Sequence, residues 1–215
     1  TMRALRRDRA ETEQDFPRDV AELQRLLGPE QPGQGIVAMP GANTQVPIWL
    51  LGSSLFSAQL AAERGLPYAF AAHFAPRLLH QALDLYRQLF RPSTVLATPY
   101  AVVGVPVIAA PTDAEAEFLA SSTYQRVLGI LTGDRQRLQA PITNFMAELL
   151  PQERTAIADF LAAAVIGGPD RVRAGLQALV NHTGANELML VCDVFDPALR
   201  LRSLDITAAA GPFTP

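Results

Sequence analysis

Lysine is absent from this 215-residue sequence, and all 18 of its basic side chains are Arg. Cysteine occurs once, at Cys192. A lone thiol forms no intrachain disulfide, so the expected setting is a reducing one, the cytoplasm. Charged residues are few, at 18%, and the net charge is −3. Without a basic surplus, the sequence lacks the electrostatic footprint of a nucleic-acid binder. A membrane span needs roughly 18 consecutive apolar residues. The uncharged stretch 92–112 is broken by Pro99, Gly104 and Pro106, so no span and no membrane partner are expected. No basic segment followed by an apolar run opens the sequence, so no signal peptide is expected. Metal-ligand spacing, a nucleophile elbow, a P-loop and a dinucleotide fingerprint are all missing, and no metal site is expected.

What is present is apolar. Hydrophobic residues make up 49% of the chain, enough for a sizeable core. The length would accommodate a complete (β/α)8 barrel, which takes about 200–250 residues and eight strands. Only four or five segments read as strands, so length and strand count disagree.

The pattern opens with a helix over 3–27, whose residues Arg3, Arg6, Arg7 and Arg9 form the one local basic patch, a solvated helix face. Residues 28–41 hold three Pro and four Gly and read as a loop. The apolar run 46–51 has the length and continuity of a parallel strand buried on both faces. A helix over 58–64 follows, closed by Gly65. Further strands are expected at 66–72, 100–110 and 187–194, with an amphipathic helix at 77–90. Thr112 and Asp113 cap a helix through Leu119, and acidic Asp113, Glu115 and Glu117 favour its N-terminus. Residues 121–161 read as an insert of helical pieces separated by Gly129, Gly133 and Pro141. Within it, Leu131, Ile142 and Phe145 are expected in the core. Gly167, Gly168 and Pro169 punctuate, a helix covers 170–182, and Asp196-Pro197 starts a last one. Strands alternating with helices imply a parallel sheet with right-handed crossovers, in one domain of α/β class spanning 1–215.

In such folds ligands sit at the carboxyl ends of the strands. Gly52 permits close backbone approach, and Ser53, Ser54 and Ser57 bring hydroxyls to a helix N-terminus. Together these suit a phosphate dianion, unless one serine is simply the N-cap. His73 lies just past a strand and suits a general base or a hydrogen bond to a cofactor ring; capping the strand end is the alternative. His80 and His182 read as ordinary helix residues. Asp193 and Asp196 flank the last strand, where Asp196 reads most simply as a helix start.

Several strings in order resemble one family. Pro47-Ile-Trp-Leu-Leu-Gly-Ser-Ser54 and Gly65-Leu-Pro-Tyr-Ala-Phe-Ala-Ala-His-Phe74 come first. Val103-Gly-Val-Pro-Val-Ile-Ala-Ala-Pro-Thr-Asp113, Ile166-Gly-Gly-Pro-Asp-Arg-Val172 and the segment 187–202 follow. The set is similar to the luciferase-like flavin-dependent monooxygenases. The resemblance implies a TIM (β/α)8 barrel of which this chain is the C-terminal half, its strands standing for five to eight. It implies reduced FMN, or a deazaflavin, with the phosphate held by Gly52, Ser53, Ser54 and Ser57, and His73 as the catalytic candidate. It further implies O2 and a small organic substrate as reactants and a flavin reductase as supplier. Half a barrel leaves open sheet edges and an apolar interior, so a homo-oligomer, most simply a dimer, is expected. The alternative function is a non-catalytic, truncated flavin- or phosphate-binding module.

Overall fold

The computed structural model describes residues 15–213. The basic patch of Arg3, Arg6, Arg7 and Arg9 lies outside the described residues. The chain falls into two compact units, one ending at Ile48 and the other starting at Trp49.

The first unit holds helix α1 (Phe16–Leu27), with Pro17 in its first turn. Proline fits there because its missing N–H has no intrahelical acceptor to lose. The Pro/Gly-rich loop that follows folds back on the helix end. Asn43 N donates to Gly28 O at 3.0 Å and Gln45 N to Leu27 O at 2.9 Å, while the Asn43 side chain accepts from Glu30 N at 3.0 Å. The loop is thereby closed by its own backbone.

The second unit is a parallel α/β sheet. Its strands are β1 (Leu50–Gly52), β2 (Tyr68–Phe70), β3 (Ala101–Ala109), β4 (Val165–Gly167) and β5 (Glu187–Val191). Its helices are α2 (Leu55–Arg64), α3 (Leu79–Leu89), α4 (Asp113–Thr132), α5 (Phe145–Glu148), α6 (Pro151–Phe160), α7 (Pro169–Thr183) and α8 (Pro197–Ala210). All pairings are parallel, as the alternation of strand and helix requires. Strand β3 is the hub: it pairs β2 and β5 along its first part and β4 along its last three residues. Among the described residues β1 pairs only with β2, and β5 only with β3, so the sheet stays open.

Several boundaries differ from expectation. The run 46–51 contributes only Leu50 and Leu51 to β1, which extends instead into Gly52. Pro47 has no N–H for a ladder, so the strand starts after it. β2 is shorter than 66–72 because a tight turn ends it: Ala72 N donates to Phe70 O and Phe74 N to Ala71 O, both at 3.0 Å. β3 runs through Gly104 and Pro106 unbroken. Its pairing with β2 ends at Val103, so Pro106 removes no donor from that ladder. β4 is an additional strand: of its residues the sequence pattern assigns only Gly167, as punctuation before a helix. Helix α4 also runs well past Leu119 to Thr132. Gly129 does not break it but admits the returning chain, since a Cβ there would meet Asp134 O at 2.5 Å.

The registers sort the sheet into two faces. Tyr68, Phe70, Val103, Val105 and Val107 are fully buried against the helices. Leu51, Ala69 and Val102 form a row on the other face, where Gly104 stands opposite Met189. That face is open: Leu51 is 67% and Met189 62% exposed. On the helix face, Tyr86 OH donates to Leu66 O at 2.9 Å and accepts from Tyr100 N at 3.1 Å. Tyr86→Phe would leave both backbone groups short of a partner. The expected cost is about 1–3 kcal/mol, read from the denaturant midpoint.

Candidate functional site at the carboxyl ends of the strands

The loops after β1 and β2 form one corner. Ala71 N donates to Gly52 O at 3.0 Å and ties them together. In the β1 loop, Ser54 is the N-cap of α2, its Oγ accepting from Ser57 N at 3.3 Å. A capping hydroxyl still has its own proton to donate outward, and Ser54 is exposed. Ser53 is half-buried and makes no side-chain hydrogen bond among the described residues.

Ser57 is different. It is buried, its Oγ donates to Ser54 O at 2.9 Å, and it lies 3.2 Å from Tyr68 OH. It packs directly on Gly52, where a Cβ would stand 2.6 Å from Ser57 Cβ and closer still to its Oγ. Its hydroxyl braces the turn from within, while Ser53 is half-buried and Ser54 exposed.

His73 sits in the turn after β2. Its ring lies on Gly104 at the middle of β3, where a Cβ would collide with Nδ1 and come within 3.0 Å of Cε1. Nδ1 is buried without a hydrogen-bond partner. Phe74 beside it packs edge-on to Phe160 of α6, centroids 6.4 Å apart.

The remaining strand ends carry structural roles. Thr112 caps α4 by accepting from Glu115 N at 3.1 Å. Asp113 Oδ1 accepts from Gly168 N at 2.6 Å and links the start of α4 to the start of α7. Asp196 caps α8, accepting from Ala198 N at 2.8 Å and Leu199 N at 3.0 Å. Asp193 pairs with Arg126 at 2.7 Å. His80 and His182 lie exposed on helices, and Cys192 is half-buried, its Sγ 3.5 Å from Ser203 Oγ.

The insert is more open than expected. A cavity of about 400 Å³ lies between α4 and the segment 142–147, with Glu117, Phe118, Tyr124, Ile142, Phe145 and Met146 on its walls. Ile142 and Leu131 are exposed, and Ile142 lines the cavity; Phe145 borders the cavity too but packs, half-buried, against the core around Ile108, Tyr124, Val127 and Ile157. The apolar pattern of a cavity wall and of a core helix is the same in one dimension. Tyr124 OH donates to the Glu117 carboxylate, 3.0 and 3.1 Å from its two oxygens. Burial, then the charge of Glu117, pushes the Tyr124 phenol far above its ordinary range. Burial also raises Tyr68 and Tyr86. A phenol raised in the folded state binds its proton more tightly there than in the unfolded chain. Its contribution is therefore intact below the ordinary value of 10.0 and is lost as pH climbs above it. Alkaline unfolding should accordingly steepen above about pH 10, and Tyr124→Phe should flatten that slope, as read from denaturant midpoints across pH.

The sequence matches the family model of the luciferase-like monooxygenases over residues 2–187. It is 43% identical over 206 residues to a luciferase-like monooxygenase of Escherichia coli K12, a match covering 96% of this chain and 62% of that relative. The chain thus spans less than two thirds of the relative's length. The crystal structure of apo-MsnO8 superposes with a TM-score of 0.76 at 32% identity, over 99% of this chain and 64% of that one. More distant structures share the fold alone. One is the oxygenating constituent of 3,6-diketocamphane monooxygenase from Pseudomonas putida in complex with FMN, at 20% identity and TM-score 0.55, over 86% of this chain and 56% of that one. Another is the coenzyme F420 dependent tetrahydromethanopterin reductase of Methanopyrus kandleri, at 15% identity and TM-score 0.53, over 91% of this chain and 61% of that one. With the family model covering most of its length, the chain belongs to the luciferase-like monooxygenase family.

Proposed function

We propose that this chain forms the cofactor-phosphate side of a flavin-dependent monooxygenase that oxidises a small organic substrate with O2 and reduced FMN. The observation that carries the reading is the corner at β1 and β2: two serines at a helix N-terminus, on a loop whose Gly52 O accepts from Ala71 N of the loop that carries His73, whose Nδ1 is buried without a partner among the described residues. These groups fit the phosphate end of FMN. The N–H groups opening α2 carry partial positive charge, and Ser53 and Ser54 add two hydroxyl donors. Gly52 and Ser57 hold that turn in place from within.

Bound reduced FMN would supply the electrons for oxygen activation. The chain's own work is to bind, orient and dry the site. Ser53 and Ser54 would fix the phosphate, His73 would offer a polar contact beside the apolar sheet face, and Leu51 and Met189 would cover the ligand with apolar side chains on that face. The cavity beside α4 would border the substrate side. A separate flavin reductase would deliver the reduced cofactor. A deazaflavin would use the same phosphate cradle. The single cysteine supports a cytoplasmic setting.

Titration of the 215-residue chain with FMN and with riboflavin tests this. FMN should bind at least tenfold more tightly, since riboflavin lacks the phosphate. Ser53→Ala with Ser54→Ala should close most of that gap. Absence of flavin binding, or an FMN preference untouched by the double substitution, would overturn the assignment. Oxidation of a trial aldehyde with reduced FMN and O2 separates an enzyme from a flavin-binding module.

The open sheet face supports a second reading, that of a dimer. Strands β1, β2, β3 and β5 follow one another around four positions, with unpaired edges at β1 and β5. A twofold axis would set the β1 edge of one copy against the β5 edge of its partner, twice, giving eight parallel strands around a shared apolar interior.

A further inference from the structure

We propose that His73 acts in this site as a hydrogen-bond donor through Nε2–H, held in that tautomer by Gly104, and not as a general base. The inference rests on the reading that the ends of β1 and β2 face cofactor or substrate, but its central claim is testable without either.

Gly104 occupies the middle of β3, where its pairing opposite Met189 places it on the open face of the sheet. A side chain there would strike the Nδ1–Cε1 edge of the His73 ring. The missing side chain is therefore the seat of the imidazole. On that seat Nδ1 is buried and has no acceptor among the described residues. The opposite nitrogen, Nε2, makes no hydrogen bond within the described residues and is not among the fully buried unpartnered atoms, so it keeps some exposure and is the nitrogen a ligand can reach.

A neutral imidazole carries one proton, on one nitrogen or the other. Placing it on Nδ1 would bury an N–H with nothing to accept it, a rarer and costlier defect than a buried lone pair. The proton therefore stays on Nε2, pointing outward. A general base needs the reverse: a lone pair on the outward nitrogen and a proton on the buried one. Among the described residues no carboxylate or carbonyl meets Nδ1 to permit that arrangement. The ligand atom that His73 meets must then be an acceptor, such as a carbonyl or anionic oxygen or a lone-pair ring nitrogen. Gly104 is the positioning residue.

The test is a long-range 1H–15N correlation spectrum of the full chain labelled at histidine, recorded near neutral pH without flavin, His73 being assigned by its loss in His73→Gln. The expected pattern is a protonated Nε2 and a lone-pair Nδ1. A protonated Nδ1, or tautomers averaged by exchange, would overturn the proposal. Gly104→Ala should shift the His73 signals toward averaging while those of His80 and His182 stay in place; His73 signals unchanged in that variant would overturn the role of Gly104. If the variant does not fold, the wild-type spectrum alone decides the tautomer. In FMN titrations, His73→Gln, which keeps a donor, should stay within about threefold of wild type, whereas His73→Leu should lose about tenfold. Equal losses in both would overturn the donor role. A chain that binds no FMN would fail the proposed function while leaving the spectrum to judge the tautomer.

Discussion

Gly52→Val should cost the second unit about 1–3 kcal/mol of stability and weaken FMN binding by more than tenfold. The physical cause is local. A Cβ on Gly52 would lie 2.6 Å from Ser57 Cβ, and valine adds two methyl groups beyond it. Ser57 cannot give way cheaply. It is buried at 7% exposure, bonded to Ser54 O at 2.9 Å, and set against Tyr68 OH at 3.2 Å. The first turn of α2 must therefore move, and with it the hydroxyls of Ser53 and Ser54. Stability is read from the denaturant midpoint and affinity from flavin fluorescence. Gly52→Ala combined with Ser57→Ala should recover part of both losses, because it removes the colliding hydroxyl. An FMN affinity unchanged in Gly52→Val would mean that the α2 turn does not hold the phosphate.

The same corner shows what one dimension can and cannot convey. The run around Leu50, the glycine after it and the three serines were legible because a strand end, a glycine and a cluster of hydroxyls are local features. Which serine does what was not legible. The cap at Ser54 is a local bond from Ser57 N, a role open to any of the serines by residue type, and the buried position of Ser57 is set against Tyr68, 11 residues further along. His73 was legible as a residue past a strand. Its seat on Gly104 was not, because that contact links two strands whose register only the folded sheet sets. β4 was hidden for another reason. Its three residues, Val165–Gly167, are too few to show a period, and the Gly-Gly-Pro that follows reads as a break. Helix α4 was cut short because Gly129 and the run Ser121, Ser122, Thr123 lower helix propensity. Ser121 is retained by a tertiary bond instead, accepting from Ile142 N at 2.7 Å. The misreading of Ile142 and Leu131 has the same root: apolar spacing marks residues suited to burial, not whether a neighbouring chain covers them, as it does Phe145, or leaves them open.

Leu51→Glu combined with Met189→Glu should convert a dimer into monomers, with a dissociation constant raised at least a thousandfold. Both side chains stand on the open face of the sheet, at its two ends, and both are more exposed than they are buried. In a closed ring of two copies each would be covered twice, once in each protomer. Covering one such side chain contributes about 1.5–3 kcal/mol, so four contribute on the order of 6 kcal/mol or more. Four carboxylates brought together in a shared interior would oppose assembly further, because burial of unpaired charge is costly. Leu201→Glu is the control. Leu201 is equally exposed but lies on α8, away from the strands, and its substitution should leave the mass unchanged. Sedimentation equilibrium of the wild-type chain and the two variants measures the effect. A wild-type chain that is monomeric at every concentration would remove the dimer outright. A dimer indifferent to Leu51 and Met189 would place its interface elsewhere, leaving the apolar face uncovered. A dimer lost only in the double variant would locate the interface on that face, where two open sheet edges need partners.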